Sequence, residues 1–124
     1  MSPHIARGLN TLFNGEHRVV ALKDHFGRGD LTDREWIERL GKERGWCVLS
    51  EDIRITRNPL ERSAFLANSL VGFFLARSVR ELPIHRKTAR ILILWDQMES
   101  ISTSVRGGLF EIPIKSQKLR QIGR

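Results

Sequence analysis

Apolar residues along the chain switch between two spacings, and the switches mark its elements. Ile5, Leu9, Leu12 and Phe13 fall at helical intervals behind Ser2-Pro3, an N-cap followed by a proline suited to the first helical position. Asn14-Gly15 closes that helix. His17 to Leu22, built on Val19-Val20-Ala21-Leu22, reads as a short strand, and a polar, glycine-bearing loop follows from Lys23 to Asp30. Thr32 and Glu35 form a capping box for a second helix whose buried stripe is Trp36, Ile37 and Leu40, with Gly45 just past its end. Trp46 to Leu49 is apolar without helical period, which predicts a strand buried on both faces.

The second half repeats the alternation. Asn58-Pro59 opens a third helix with Leu60, Ala64 and Ala67 facing inward. Leu70 to Leu75 is another continuous apolar run, again a buried strand. Leu82-Pro83 turns the chain into a long helix, roughly 85–105, with Ile91, Leu94, Trp95, Met98, Ile101 and Val105 along one face. Gly107-Gly108 ends it, and Leu109 to Ile114 forms a last strand that Pro113 assigns to an edge. Helix and strand alternate four times, which predicts a three-layer α/β domain: a mainly parallel sheet, right-handed crossovers, helices on both faces. With 124 residues and no linker, a single domain over 1–124 is expected.

Charge changes the picture more than size does. The 21 Lys and Arg exceed the 14 Asp and Glu, leaving +7, and the balance favours a polyanionic partner, nucleic acid first. Lys115, Lys118, Arg120 and Arg124 follow the last acid, Glu111, so the tail reads as a nucleic-acid arm, a partner-binding segment or a solubilising end. No apolar run approaches membrane-spanning length and no signal-peptide pattern opens the chain, so the expected compartment is the cytoplasm. Cys47 is the single cysteine, excluding an internal disulfide, and its apolar setting suggests an inert core thiol. No phosphate-cradling glycine motif occurs, and His4, His17, His25 and His85 lack metal-ligand spacing. Phe73-Phe74 belongs to a buried run and is core before it is a stacking platform.

Candidate chemistry gathers on carboxylates. The Trp46 strand stops at Ser50, and Glu51 and Asp52 follow it into the region where open α/β sheets bind ligands. Asp30 and Asp33 stand at the start of the second helix and Glu35 one turn in, on the same edge of the sheet. Asp33 and Asp52 would approach one another there, and converging carboxylates repel unless a cation sits between them. Mg²⁺ or Mn²⁺ at such a place would activate water and stabilise charge on a phosphodiester. Each acid also has a structural reading: Asp33 complements the helix dipole, Glu35 completes the capping box, and Glu51-Asp52 ends a strand. Asp96, amid apolar neighbours, is assigned to the wet stripe of its helix.

Three segments carry a family resemblance: Ser2-Pro3-His4-Ile5-Ala6-Arg7-Gly8-Leu9, Leu31-Thr32-Asp33-Arg34-Glu35-Trp36-Ile37 and Cys47-Val48-Leu49-Ser50-Glu51-Asp52. The run from Ser2 to about Phe65 resembles the PIN-like domains of VapC-type toxins. The resemblance implies a metal-dependent ribonuclease fold, with Asp33 and Asp52 as Mg²⁺ or Mn²⁺ ligands and Glu35 and Glu51 as further catalytic candidates. It also implies RNA as substrate and a cognate antitoxin protein that covers the site. Arg28, Arg34 and Arg54 lie beside the acids and would contact RNA phosphates. Two features depart from the family's pattern. Its first strand, ending in an acid, has no counterpart ahead of the first helix, so the expectation is a native start upstream; an unfilled strand position would invite a homodimer. Arg54 stands where the family often carries a second aspartate. The competing reading is a catalytically impaired PIN-like module that binds nucleic acid or a partner.

Overall fold

The structure, a computed structural model, describes residues 3–123. The chain divides into two compact units, Met1–Leu31 and Thr32–Arg124.

In the smaller unit, α1 (Pro3–Phe13) buries Ile5, Ala6 and Leu9 while Leu12 is exposed. Asn14 and Gly15 end it in left-handed backbone, as their residue types foretold; the cap assigned to Ser2 lies outside the described residues. The strand expected over 17–22 does not form. Residues 18–21 take no regular structure and pair with no strand among the described residues, and the Val19 N–H donates to the Asn10 side-chain oxygen at 2.9 Å. Leu22 instead begins a short helix, α2 (Leu22–Phe26), inside what the sequence suggested was loop, and Gly27 at φ 70° caps it. Arg7 and Asp24 join α1 to α2 through two parallel hydrogen bonds of 3.0 and 2.9 Å.

The larger unit is built on a four-stranded sheet of order β1-β2-β3-β4, with β1 (Cys47–Ser50), β2 (Val71–Leu75), β3 (Gly108–Ile112) and β4 (Arg120–Gln121). The first three are parallel and β4 runs antiparallel to β3. All five residues of β2 are buried, and since successive side chains point to opposite faces, both faces of the sheet are covered there. This is the α/β architecture with a mostly parallel sheet that the alternation predicted.

β1 differs from its expectation. Among the described residues only β2 pairs with it, so it is an edge strand, half-buried at Val48, Leu49 and Ser50 and exposed at Cys47. Cys47 is therefore not a core residue, although partial desolvation of its sulfur still raises the thiol pKa against a smaller opposing effect of Ser102. β3, by contrast, is flanked on both sides; Pro113 lies just beyond its end and not within an edge.

Helices follow the expected starts but not always the expected faces. The capping box forms at α3 (Asp33–Glu43), which buries Trp36, Ile37 and Leu40. A short α4 (Arg54–Arg57), absent from the sequence reading, buries Ile55. Asn58 accepts from Leu60 N and Glu61 N to start α5 (Pro59–Ala67). Leu60 is nonetheless exposed, as is Ala67, and the inward anchor is Phe65, whose ring lies 6.0 Å from Phe74. Gly72 of β2 makes room for it: a Cβ there would meet Phe65 Cζ at 2.6 Å.

After β2 comes α6 (Arg77–Arg80), and the single long helix expected beyond Pro83 is two, α7 (Ile84–Ile93) and α8 (Trp95–Ser104). They break at Leu94 (φ −96°, ψ 5°), a kink that leaves Ile91, Leu94 and Met98 all buried and Asp96 on the wet side. From α7 the buried Arg90 guanidinium donates to the carbonyls of Pro113 and Ser116, and from α8 Gln97 accepts from Leu119 N at 3.0 Å. The basic stretch after β3 is thus held against the two helices and returns as β4. Among the described residues no helix is long and apolar enough to cross a membrane.

Candidate active site

Three loops of the larger unit leave the carboxyl edge of the parallel strands and the helix starts facing it. β1 ends at Ser50, whose hydroxyl accepts from the Asp52 N–H at 3.0 Å and turns the chain sharply. Asp52 then bonds forward. Its Oδ1 accepts from the Arg54 N–H at 3.0 Å and from Arg54 Nε at 2.9 Å, and Oδ2 accepts from Arg54 Nη2 at 2.8 Å. Both carboxylate oxygens are engaged by a two-pronged guanidinium, the strongest geometry available to such a pair. The Arg54 hydrogen bonds hold the Asp52 carboxyl below the usual carboxylate range against its partial desolvation, with Arg80 contributing a smaller attraction.

Asp33 opens α3 on the same edge. One of its oxygens accepts the indole N–H of Trp36 at 3.0 Å, which fixes the carboxylate over the first turn. Glu61, in the first turn of α5, completes the group. Desolvation raises its pKa first, and the neighbouring charge of Asp33, a hydrogen bond with Asp33 and the charge of Asp52 all push the same way. Packing explains the meeting, because α3 and α4 both lie against α5. Asp33, Asp52 and Glu61 are therefore neighbours, with Arg54 among them and Asp33 and Glu61 also favouring its charge.

The other expected residues have other occupations. Glu51 turns away to a half-buried ion pair with Lys87 of α7. Glu35 returns its side chain to the Thr32 N–H in the capping box. Asp30 belongs to the smaller unit, where Arg28 grips it through two hydrogen bonds and lowers its pKa to about 2. Arg34 pairs with Glu38 one turn along α3. Glu61 was the residue missed. Its signal was present in Asn58-Pro59-Leu60-Glu61, an acid in the first turn of a helix following an acid-tipped strand, the same reasoning that selected Asp33.

Asp33 and Glu61, whose charges act on each other, suit a hard cation that retains most of its waters, since Mg²⁺ is often held by one or two carboxylates. Asp52 joins such a set only when Arg54 lets go. Among the described residues no ready-made cluster of three ligating side chains exists.

No curated protein and no solved structure matches the chain. A family model does, that of the PIN-like domain, over residues 1–77, which takes in Asp33, Asp52, Glu61 and β2. The chain belongs to the PIN-like domain family and carries its nuclease-type fold.

Proposed function

We propose that the protein is a metal-dependent ribonuclease that hydrolyses RNA phosphodiester bonds at the carboxyl edge of its sheet. The observation carrying this reading is that Glu61 of α5 feels the charges of Asp33 at the start of α3 and of Asp52 just past β1, acids along one edge of the sheet in a chain with net charge +7. Like charges along one edge repel, and a divalent cation relieves that repulsion. Asp33 and Glu61 would hold Mg²⁺ or Mn²⁺, with Asp52 entering when it exchanges Arg54 for the ion. The cation would supply an activated water and stabilise the charge that develops on the phosphate. Arg54, once released, and Arg80 are the cations nearest in effect to the acids and would take the RNA backbone. The likeness to VapC-type toxins extends the reading to a cytoplasmic toxin whose antitoxin covers this edge, and an unpaired β1 edge is where a homodimer would form.

A second reading has its own observation. The two-pronged Arg54–Asp52 pair neutralises the acid that a nuclease most needs, as expected of a PIN-like module that binds nucleic acid without cutting it. One assay separates the two. RNA is incubated with the full chain in Mn²⁺ and in EDTA, beside Asp33→Asn and Asp52→Asn. Cleavage confined to Mn²⁺ and lost in both variants supports the nuclease. RNA retained in EDTA and intact in Mn²⁺ supports the binder, and cleavage that survives both substitutions overturns the site.

A further inference from the structure

The amino ends of the parallel strands form a second place of interest, on the edge opposite the acids. Three helix-to-strand connections meet there: 44–46 before β1, 68–70 before β2 and 105–107 before β3. Between them lies an open cavity of about 380 Å³, lined among others by Arg44, Trp46, Asn68, Ser69 and Arg106. That volume lies in the range of small-molecule sites. No carboxylate lines it, and among the described residues neither the Arg44 nor the Arg106 side chain has an ion-pair or hydrogen-bond partner. Arg7, Arg28, Arg34, Arg54, Arg77 and Arg120 each face an acid, while Arg57, Arg62 and Arg86 are, like these two, without such a partner among the described residues; what marks Arg44 and Arg106 is the cavity they share.

The backbone adds an independent observation. Arg44 sits at φ 62°, ψ 159°, a region in which glycine is nearly alone, and Ser69 at φ 56° is also left-handed. Gly45, which tolerates such angles, is next in the chain, so the strain at Arg44 is not forced by a lack of suitable residues nearby. Trp46 supplies an aromatic wall and its indole N–H is anchored by Glu43 at 2.9 Å. Asn68 is seated by its own bond to the Ala64 carbonyl at 2.8 Å, in space that Gly41 leaves open.

We propose that this cavity binds a nucleotide, its phosphate between Arg44 and Arg106 and its base against Trp46. Guanidinium forks match phosphate oxygens, an aromatic face accepts any base, and the Ser69 hydroxyl and Asn68 amide provide polar contacts. The nucleotide is either free or the end of an RNA strand, since both present the same groups. Backbone strain at a position that presents a cation to the cavity is the pattern of a site maintained at some loss of stability.

Titration calorimetry on the full chain with adenosine monophosphate, inorganic phosphate and a 5′-phosphorylated trinucleotide tests this. Saturable one-to-one binding of the monophosphate, at least tenfold tighter than phosphate alone, is expected. The trinucleotide distinguishes the sources: tighter binding than the monophosphate assigns the site to an RNA end, equal or weaker binding to a free nucleotide. Arg44→Gln with Arg106→Gln should weaken binding at least tenfold, while the charge-matched Arg77→Gln with Lys118→Gln changes it less than twofold. Monophosphate binding should be the same in EDTA as in Mn²⁺, which separates this site from the acidic one. Arg44→Gly should raise the thermal unfolding midpoint and still lose the ligand. Absence of saturable binding, equal affinity for phosphate and monophosphate, or equal losses in the two double variants would overturn the proposal.

Discussion

Beyond the carboxyl end of β1, Arg54 closes on both oxygens of Asp52, whereas before the amino ends of β1 and β3 Arg44 and Arg106 line a cavity with no carboxylate in its wall. The strands that separate these places span only about 15 Å at ~3.3 Å per residue. The contrast follows from chain direction. Strand-to-helix turns bring helix starts, where acids are favoured by the exposed N–H groups; Asp33 and Glu61 both occupy first turns. Helix-to-strand turns bring helix ends, where cations are favoured, and Lys42 and Arg44 stand there. One edge thus gathers charges that must be neutralised from within, and Arg54 does so. The other leaves its cations for something outside the chain.

The largest test of the comparison strikes what both edges share. α5 reaches from Glu61 at the acidic edge to Ala67 beside the cavity, and Phe65, wholly buried against Phe74, holds it to the sheet. Phe65→Ala should cost about 3–5 kcal/mol in chemical denaturation, the usual range for emptying an aromatic core position. Both sites should fail together. A loss confined to one edge would show that α5 does not tie them.

A smaller substitution should part them. A methyl group at Gly41 would collide with the Asn68 side chain, which must then shift. Gly41→Ala should cost about 1–3 kcal/mol through overpacking and disturb the cavity. The carboxyl resonances of Asp52 and Glu61 should keep their titration, because α3 carries the strain at its far end. Movement of those resonances would show that the two edges communicate.

The sequence showed the α/β class, the capping box at Thr32, the Asn58-Pro59 start and the buried β2, because each depends on neighbours close in the chain. It misassigned what depends on partners far away. Val19-Val20-Ala21-Leu22 has strand composition but no strand beside it, and the Asn10 side chain takes the Val19 N–H. Cys47 has core composition, yet β1 is an edge. Glu51 and Asp52 are adjacent and looked alike; their fates were decided by Lys87, 36 positions on, and by Arg54, two positions on. The cavity left no mark at all, since Arg44 and Arg106 become neighbours only through the sheet.

Arg54→Gln sharpens the acidic side. Asp52 has its folded pKa depressed, so its pairing stabilises the protein above the ordinary carboxylate pKa and that stability is lost as pH falls through the depressed value. Removing Arg54 should raise the Asp52 pKa toward its usual 3.8, as carbon-detected titration would read, with a small loss of stability at pH 7 that vanishes in acid. In the nuclease reading the same variant admits the cation more readily, so the Mn²⁺ needed for half-maximal cleavage should fall. An Asp52 pKa that stays depressed would show that Arg54 is not its principal partner.

Glu61→Gln should have the smallest effect and the opposite sign. The Glu61 pKa is raised above 4.5 by desolvation and by the charges of Asp33 and Asp52, so its contribution to stability is fully present below 4.5 and lost as pH rises through the raised value. At pH 7 the ionised side chain therefore works against the fold. An amide removes the repulsion and can still donate to Asp33, so the variant should unfold at a slightly higher temperature than the parent at pH 7 and show no such advantage near pH 4. Saturating Mn²⁺ should cancel the difference, because a cation shared by Asp33 and Glu61 supplies the neutralisation that the amide supplies. A parent that gains nothing from Mn²⁺ while Glu61→Gln is still stabilised would mean that the acids converge without holding an ion. The carboxyl edge would then belong to Arg54 and a binding function.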